Sequence, residues 1–198
     1  MFEFTHINDA EPYLVDTLSG DRFLRSAGDL SNSSRFVAPY PPEQQPACAL
    51  VVGQVARDLA ARGVTACVVD AYDELLASLD EQGLWEMYEQ AEAGLDPKSL
   101  ADALKDSAGL SDGRYAARFD GRAAETGADL LIVTGVGAAF PVIRVHWLVE
   151  NIKAAVPVLV MFPGAHNEMP DGTRSLDILT APPGHGGGKY RARNIFDF

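Results

Sequence analysis

The residues best placed to do chemistry lie between positions 129 and 164. Thr134, Gly135 and Gly137 make a glycine turn, Pro141, Arg144 and His146 follow it, and Pro163-Gly164 with nearby His166 close the stretch. A glycine turn after an apolar strand is where many α/β proteins hold phosphate, on backbone N–H groups and the N-terminus of the next helix. Arg144 would add a cation, so anion or nucleotide binding through Gly135, Gly137 and Arg144 is the first chemistry to weigh. The turn reads Gly135-Val136-Gly137-Ala138-Ala139-Phe140, with Phe140 where the dinucleotide fingerprint needs its third glycine. A tight strand-to-helix connection is the plainer reading. For Arg144 it is an ion pair with an acidic neighbour, and for His146 a structural or solvent-facing pair with Glu150 one turn on.

Other motifs fail on context. Gly188-Lys189 resembles a phosphate loop, but Pro183 and Tyr190 stand where Gly and Ser or Thr are required. His185-Gly186-Gly187-Gly188 spells an esterase oxyanion turn with no Gly-x-Ser-x-Gly elbow to follow. His166-Asn167-Glu168 lacks the Pro-Cys-x-x-Cys that completes a deaminase zinc site. Asp70 and Asp73 could hold a metal at a strand end, but Asp70 before Ala71-Tyr72-Asp73 reads more simply as a helix cap. No Ser-His-Asp, Cys-His or paired-carboxylate set declares itself. The expectation is therefore no catalytic residue, no metal and no cofactor.

The elements that position these residues are legible from periodicity. Residues 130–134 and 157–162 are unbroken apolar runs on either side of a helix read from Pro141 to about Lys153, which makes a parallel βαβ unit covered on both faces. That helix has an apolar stripe of Val142, Val145, Val149 and Ile152, and Trp147 reads as core. Earlier, residues 35–40 read as a strand and residues 47–62 as a helix with Leu50, Val51, Val55, Leu59 and Ala60 on one stripe. Residues 64–69 follow as a second buried strand. Residues 11–27 read as helical with a break at Gly20. Between the two βαβ halves, residues 71–127 hold an acidic insert of three or four helices, read over 73–79, 84–93, 97–107 and 116–126. It either offers a cap to a partner or covers one sheet face. Residues 175–179 and 190–196 read as two last strands, a hairpin or neighbouring pair. The expected fold is a three-layer α/β sandwich with a mainly parallel sheet of about five or six strands, in a single domain over residues 1–198.

The chain has 198 residues, with 16 Lys and Arg against 28 Asp and Glu, a net charge of −12. Such a balance argues against direct nucleic-acid binding, which needs clustered cations facing phosphate. Lys189, Arg191 and Arg193 are a local exception that an aggregation-resistant edge strand explains equally well. No secretory signal and no apolar run long enough to span a bilayer is present. Cys48 and Cys67 read as reduced core thiols, so a cytoplasmic protein is expected.

Several stretches together resemble a known family. Thr134-Gly135-Val136-Gly137, Phe140-Pro141-x-Ile143-Arg144-x-His146 and Pro157-Val158-Leu159-Val160-Met161-Phe162-Pro163-Gly164 are similar to the BrxB family of bacteriophage-exclusion (BREX) defence systems. Tyr40-Pro41-Pro42-Glu43, Val68-Val69-Asp70-Ala71-Tyr72-Asp73 and Lys189-Tyr190-Arg191-Ala192-Arg193-Asn194-Ile195 extend the likeness over most of the chain from about Arg35. The segment 163–176 is longer than the family's compact turn and lacks its tyrosine. The resemblance implies a non-enzymatic assembly or regulatory subunit, working with other BREX proteins and docking a larger one, the alkaline-phosphatase-like PglZ. It carries motif positions but no catalytic residues, and it leaves homo-oligomerisation open.

Overall fold

The computed structural model describes residues 4–28, 34–168, 174–177 and 192–198. Helices α1 (Glu11–Leu18) and α2 (Asp21–Leu24) precede strand β1 (Arg35–Tyr40), and α3 (Gln45–Ala61) leads to β2 (Ala66–Asp70). Four helices follow: α4 (Ala71–Asp80), α5 (Trp85–Glu92), α6 (Pro97–Ala108) and α7 (Arg114–Glu125). Then come β3 (Leu130–Thr134), α8 (Val145–Asn151) and β4 (Val158–Pro163), with β5 (Ala165–Glu168), β6 (Arg174–Asp177) and β7 (Arg193–Asn194) after them.

Strands β2-β3-β4-β1-β7 form one all-parallel sheet in that order. Helices cover both of its faces, as the α/β sandwich reading requires. Alternate residues of each strand serve different layers. Leu130, Ile132, Leu159, Met161, Phe36 and Ala38 pack with α1 and α3. Leu131, Val133, Val158, Val160 and Phe162 pack with the insert and α8. The insert thus covers a sheet face, chiefly through Tyr115, Ala116, Phe119 and Ala123 of α7.

The first β-α-β is present as read, with β3 and β4 lying between β1 and β2 in the sheet. Three expectations need correction. β2 is an edge strand, so Val68 is 43% exposed rather than buried. The predicted pairing of the last two strands is also wrong. β6 pairs antiparallel with β5, and β7 runs parallel to β1 beside Phe36 and Val37 before giving way to a 3-10 turn, Ile195–Asp197. On α3 the buried stripe is Cys48, Val51, Val52, Val55 and Leu59, while Leu50 is 76% exposed. A rotation of the stripe by one position is within what apolar spacing leaves open in an alanine-rich helix. The predicted strand residues Ile178 and Leu179, the loop at 182–188 and the basic trio's Lys189 and Arg191 lie outside the described residues.

One ion network locks the insert together. Glu74 is buried, and its carboxylate accepts from Arg118 Nε at 2.6 Å and Arg122 Nε at 2.8 Å. Arg118 also grips Glu81 in a two-point pair at 2.7 and 3.0 Å. Both arginines lie on α7, whereas Glu74 lies on α4 and Glu81 is the residue that caps its C-terminus. Glu74→Ala is expected to cost about 2 kcal/mol, below the ~3–5 of a fully buried pair, because the orphaned arginines reach solvent. A urea midpoint that does not move would contradict this. The Arg118 hydrogen bonds hold the Glu81 carboxyl below its ordinary value. Its contribution is therefore present above an unfolded value of about 4.3 and lost as pH falls through the folded one.

Candidate functional site

The carboxyl ends of β1, β2, β3 and β4 converge, and Asp70 sits among them. Its Oδ1 caps α4, accepting from the N–H groups of Tyr72 at 2.9 Å and Asp73 at 3.2 Å. Its Oδ2 accepts from the Thr134 hydroxyl at 3.0 Å. Gly135 follows with φ +71, and any Cβ there would run into the Asp70 carboxylate. Gly137 is equally confined, since a Cβ would stand 2.7 Å from Gln45 Oε1 and 2.8 Å from Pro163 Cγ. The Gly164 N–H donates to the Tyr40 carbonyl at 3.0 Å. The sheet edge is thus filled by its own side chains.

This packing decides the chemistry available. An anion approaching the Gly135 turn meets the Asp70 carboxylate where a phosphate-binding loop offers free N–H groups. Burial pushes the Cys48 thiol up to about 12 and raises the hydrogen-bonded Tyr40 hydroxyl, so both stay protonated at neutral pH and neither supplies a nucleophile. Asp70→Ala should cost about 2 kcal/mol, roughly half for the cap and half for the orphaned Thr134 hydroxyl. Asp70→Asn keeps Oδ1 as the acceptor of the cap, and its amide N–H can donate to the Thr134 hydroxyl in the place of Oδ2, so it should lose much less in the same denaturant titration.

The structure brings Thr134, Gly135, Gly137, Pro163 and Gly164 together but not the rest of the candidate set. The helix expected from Pro141 begins only at Val145, because residues 135–143 are spent in turns closed by Ala139 N–H to Gly135 O and Ile143 N–H to Ala139 O. Pro141 follows a cis peptide bond in that stretch and is exposed. Arg144 is therefore the extended residue before the helix rather than part of its first turn. Among the described residues neither it nor His146 bonds to the Asp70 cluster. Burial lowers the His146 imidazole, with Glu150 opposing and Arg144 adding. The stripe Val142, Val145, Val149 and Ile152 is buried as expected, whereas Trp147 is only half-buried. Arg193 stacks over Phe198 and Phe36, at 4.7 and 5.9 Å to the ring centroids, which removes it from the basic trio.

Beside this edge the insert opens a groove of about 310 Å³. α4 contributes Tyr72, Leu75, Leu76 and Leu79, and α6 contributes Leu100 and Leu104. The loop after β3 adds Ala138, Ala139, Phe140 and Val142. From α5, Trp85, Tyr88, Glu89 and Glu92 face it, a spacing that defines a single helical side. Tyr72, Trp85 and Phe140 are 38%, 42% and 49% exposed. Sequence reading missed this groove, although the α5 spacing was visible.

Residues 67–195 match the family described as BrxB, BREX protein BrxB. The chain belongs to the BrxB family. The matched region runs from β2 through the insert and the Gly135 turn to β7, so it contains the groove and, of the packed edge, Asp70, Thr134, Gly135, Gly137, Pro163 and Gly164, but not Tyr40 or Gln45. The BREX protein BrxB of Escherichia coli O9:H4 (strain HS) is 27% identical over 158 residues, covering 76% of this chain and 75% of that protein. No solved structure matches. Among the described residues no group of His, Cys, Asp and Glu could hold a metal ion, and no helix is long and apolar enough to cross a membrane.

Proposed function

We propose that this BrxB family member is a non-enzymatic assembly subunit of a BREX anti-phage defence system, acting in the cytoplasm by docking a larger component, the PglZ-type alkaline-phosphatase-like protein. The observation that carries this reading is the apolar groove of the insert, whose mouth exposes three aromatic side chains. Exposed aromatics around a preformed apolar pocket are the usual anchors of protein recognition. The packed edge supports the same reading, because Asp70 is committed to the α4 cap and to Thr134.

Co-expression with the PglZ-type protein of the same defence locus tests it. A complex that survives affinity purification and gel filtration is expected, and phage exclusion should fall when that complex is lost. Two proteins that elute separately at micromolar concentration would end the proposal.

A further inference from the structure

We infer that the groove between α4, α5, α6 and the Ala138–Val142 loop receives a basic amphipathic helix of a partner protein. This deepens the docking function proposed above and rests on it. The floor is apolar. Leu75, Leu79, Ala139 and Val142 are buried, and the Tyr88 hydroxyl is fixed by the Ala103 carbonyl at 3.0 Å and Ser107 Oγ at 2.6 Å. Leu76, Leu100 and Leu104 complete walls suited to aliphatic anchors.

Three features select the occupant. The walls are mainly helices, whose backbone groups are already bonded internally. An extended segment entering here would find few partners for its own N–H and C=O groups, whereas a helix satisfies its own. The charged residues lining the groove are Glu89 and Glu92, both acidic and both on the α5 face that carries Trp85. A cationic flank on the incoming helix complements them. A second copy of this chain would bring the same acidic lining and a net charge of −12, and an anionic lipid surface or nucleic acid would be repelled likewise. The exposed rings of Tyr72, Trp85 and Phe140 extend the apolar surface past the cavity mouth, which suits a helix face better than a small molecule.

Fluorescence polarisation with a labelled synthetic peptide tests the inference. The probe carries leucines along one helical stripe and lysines elsewhere, and its counterpart carries glutamates in place of lysines. The lysine peptide should bind at least about tenfold more tightly than the glutamate peptide. Trp85→Ala combined with Phe140→Ala should weaken it by about tenfold or more. Glu89→Gln with Glu92→Gln should weaken it several-fold and flatten its salt dependence, while Glu11→Gln with Asp16→Asn, remote from the groove, should leave it unchanged. Circular dichroism establishes that each variant is folded. Equal binding of the two peptides, full affinity in the folded aromatic variant, or a dimer that Trp85→Ala dissolves would overturn the inference. Failure here is separable from failure of the assembly function. If the PglZ-type protein co-purifies equally with wild type and the aromatic variant, the groove is not the docking site and assembly stands. If the peptide results hold while nothing co-purifies, the groove stands and that assembly does not.

Discussion

Gly135→Ala is expected to destabilise the protein by about 3 to 4 kcal/mol, enough to unfold a domain of ordinary stability in part. Two costs add. At φ +71 an alanine pays about 1–2 kcal/mol for left-handed backbone. Its Cβ also claims the space of the Asp70 carboxylate. Relief requires Asp70 to turn away, which gives up the cap on Tyr72 and Asp73 and the bond from Thr134, about 2 kcal/mol more. Gly113→Ala separates the two costs, since Gly113 has φ +80 and open space around the added carbon. It should lose only about 1–2 kcal/mol, the dihedral part. Gly137→Ala should fall between them at about 2–3 kcal/mol, because the Gln45 side chain can retreat although Pro163 cannot. Urea titration of the three variants checks the ranking. Equal losses at positions 135 and 113 would mean that Asp70 does not hold its place.

Tyr115→Ala should cost about 4 kcal/mol, as large aromatic truncations in well-packed interiors do. Tyr115 is fully buried on α7, with ring centroids 5.3 Å from Phe119 and 6.1 Å from Trp147. Its hydroxyl donates to the Ala71 carbonyl, at the residue after the Asp70 cap. The side chain therefore ties three helices to the edge where the strands end. Tyr115→Phe keeps the packing and removes only the hydroxyl, so it should cost about 1 kcal/mol. The gap between the two variants measures packing alone. Similar losses for both would put the hydrogen bond, not the ring, in charge. Since Tyr72 and the groove lie just beyond Ala71, Tyr115→Ala should also weaken lysine-peptide binding, whereas Tyr115→Phe should not.

How much of this was legible beforehand varies with the range of the interaction. The strand at Arg35–Tyr40 and the helix starting at Pro97 were read to the residue at those positions, because a strand stopped by Pro41-Pro42 and a prolyl first turn are signals that act over a few neighbours. The Asp70 cap was readable for the same reason. The Pro141 helix start was not. Proline fits a first helical turn, but whether one begins there depended on how residues 135–143 turned against Asp70, Gln45 and Pro163.

The sequence by itself determined the parallel α/β class, the helical nature of the insert, the apolar stripe from Val142 to Ile152 and the family likeness. These follow from local propensity, from periodicity and from the residues themselves. Only the tertiary structure decided that β3 and β4 part β1 from β2, that Val68 therefore meets solvent, and that Gly135 is held by Asp70 from 65 positions earlier in the chain. It alone assembled Tyr72, Trp85 and Phe140 around one groove. Strand order and groove walls are set by contacts between distant segments, and a hydrophobic period says which side of an element is buried without saying against what.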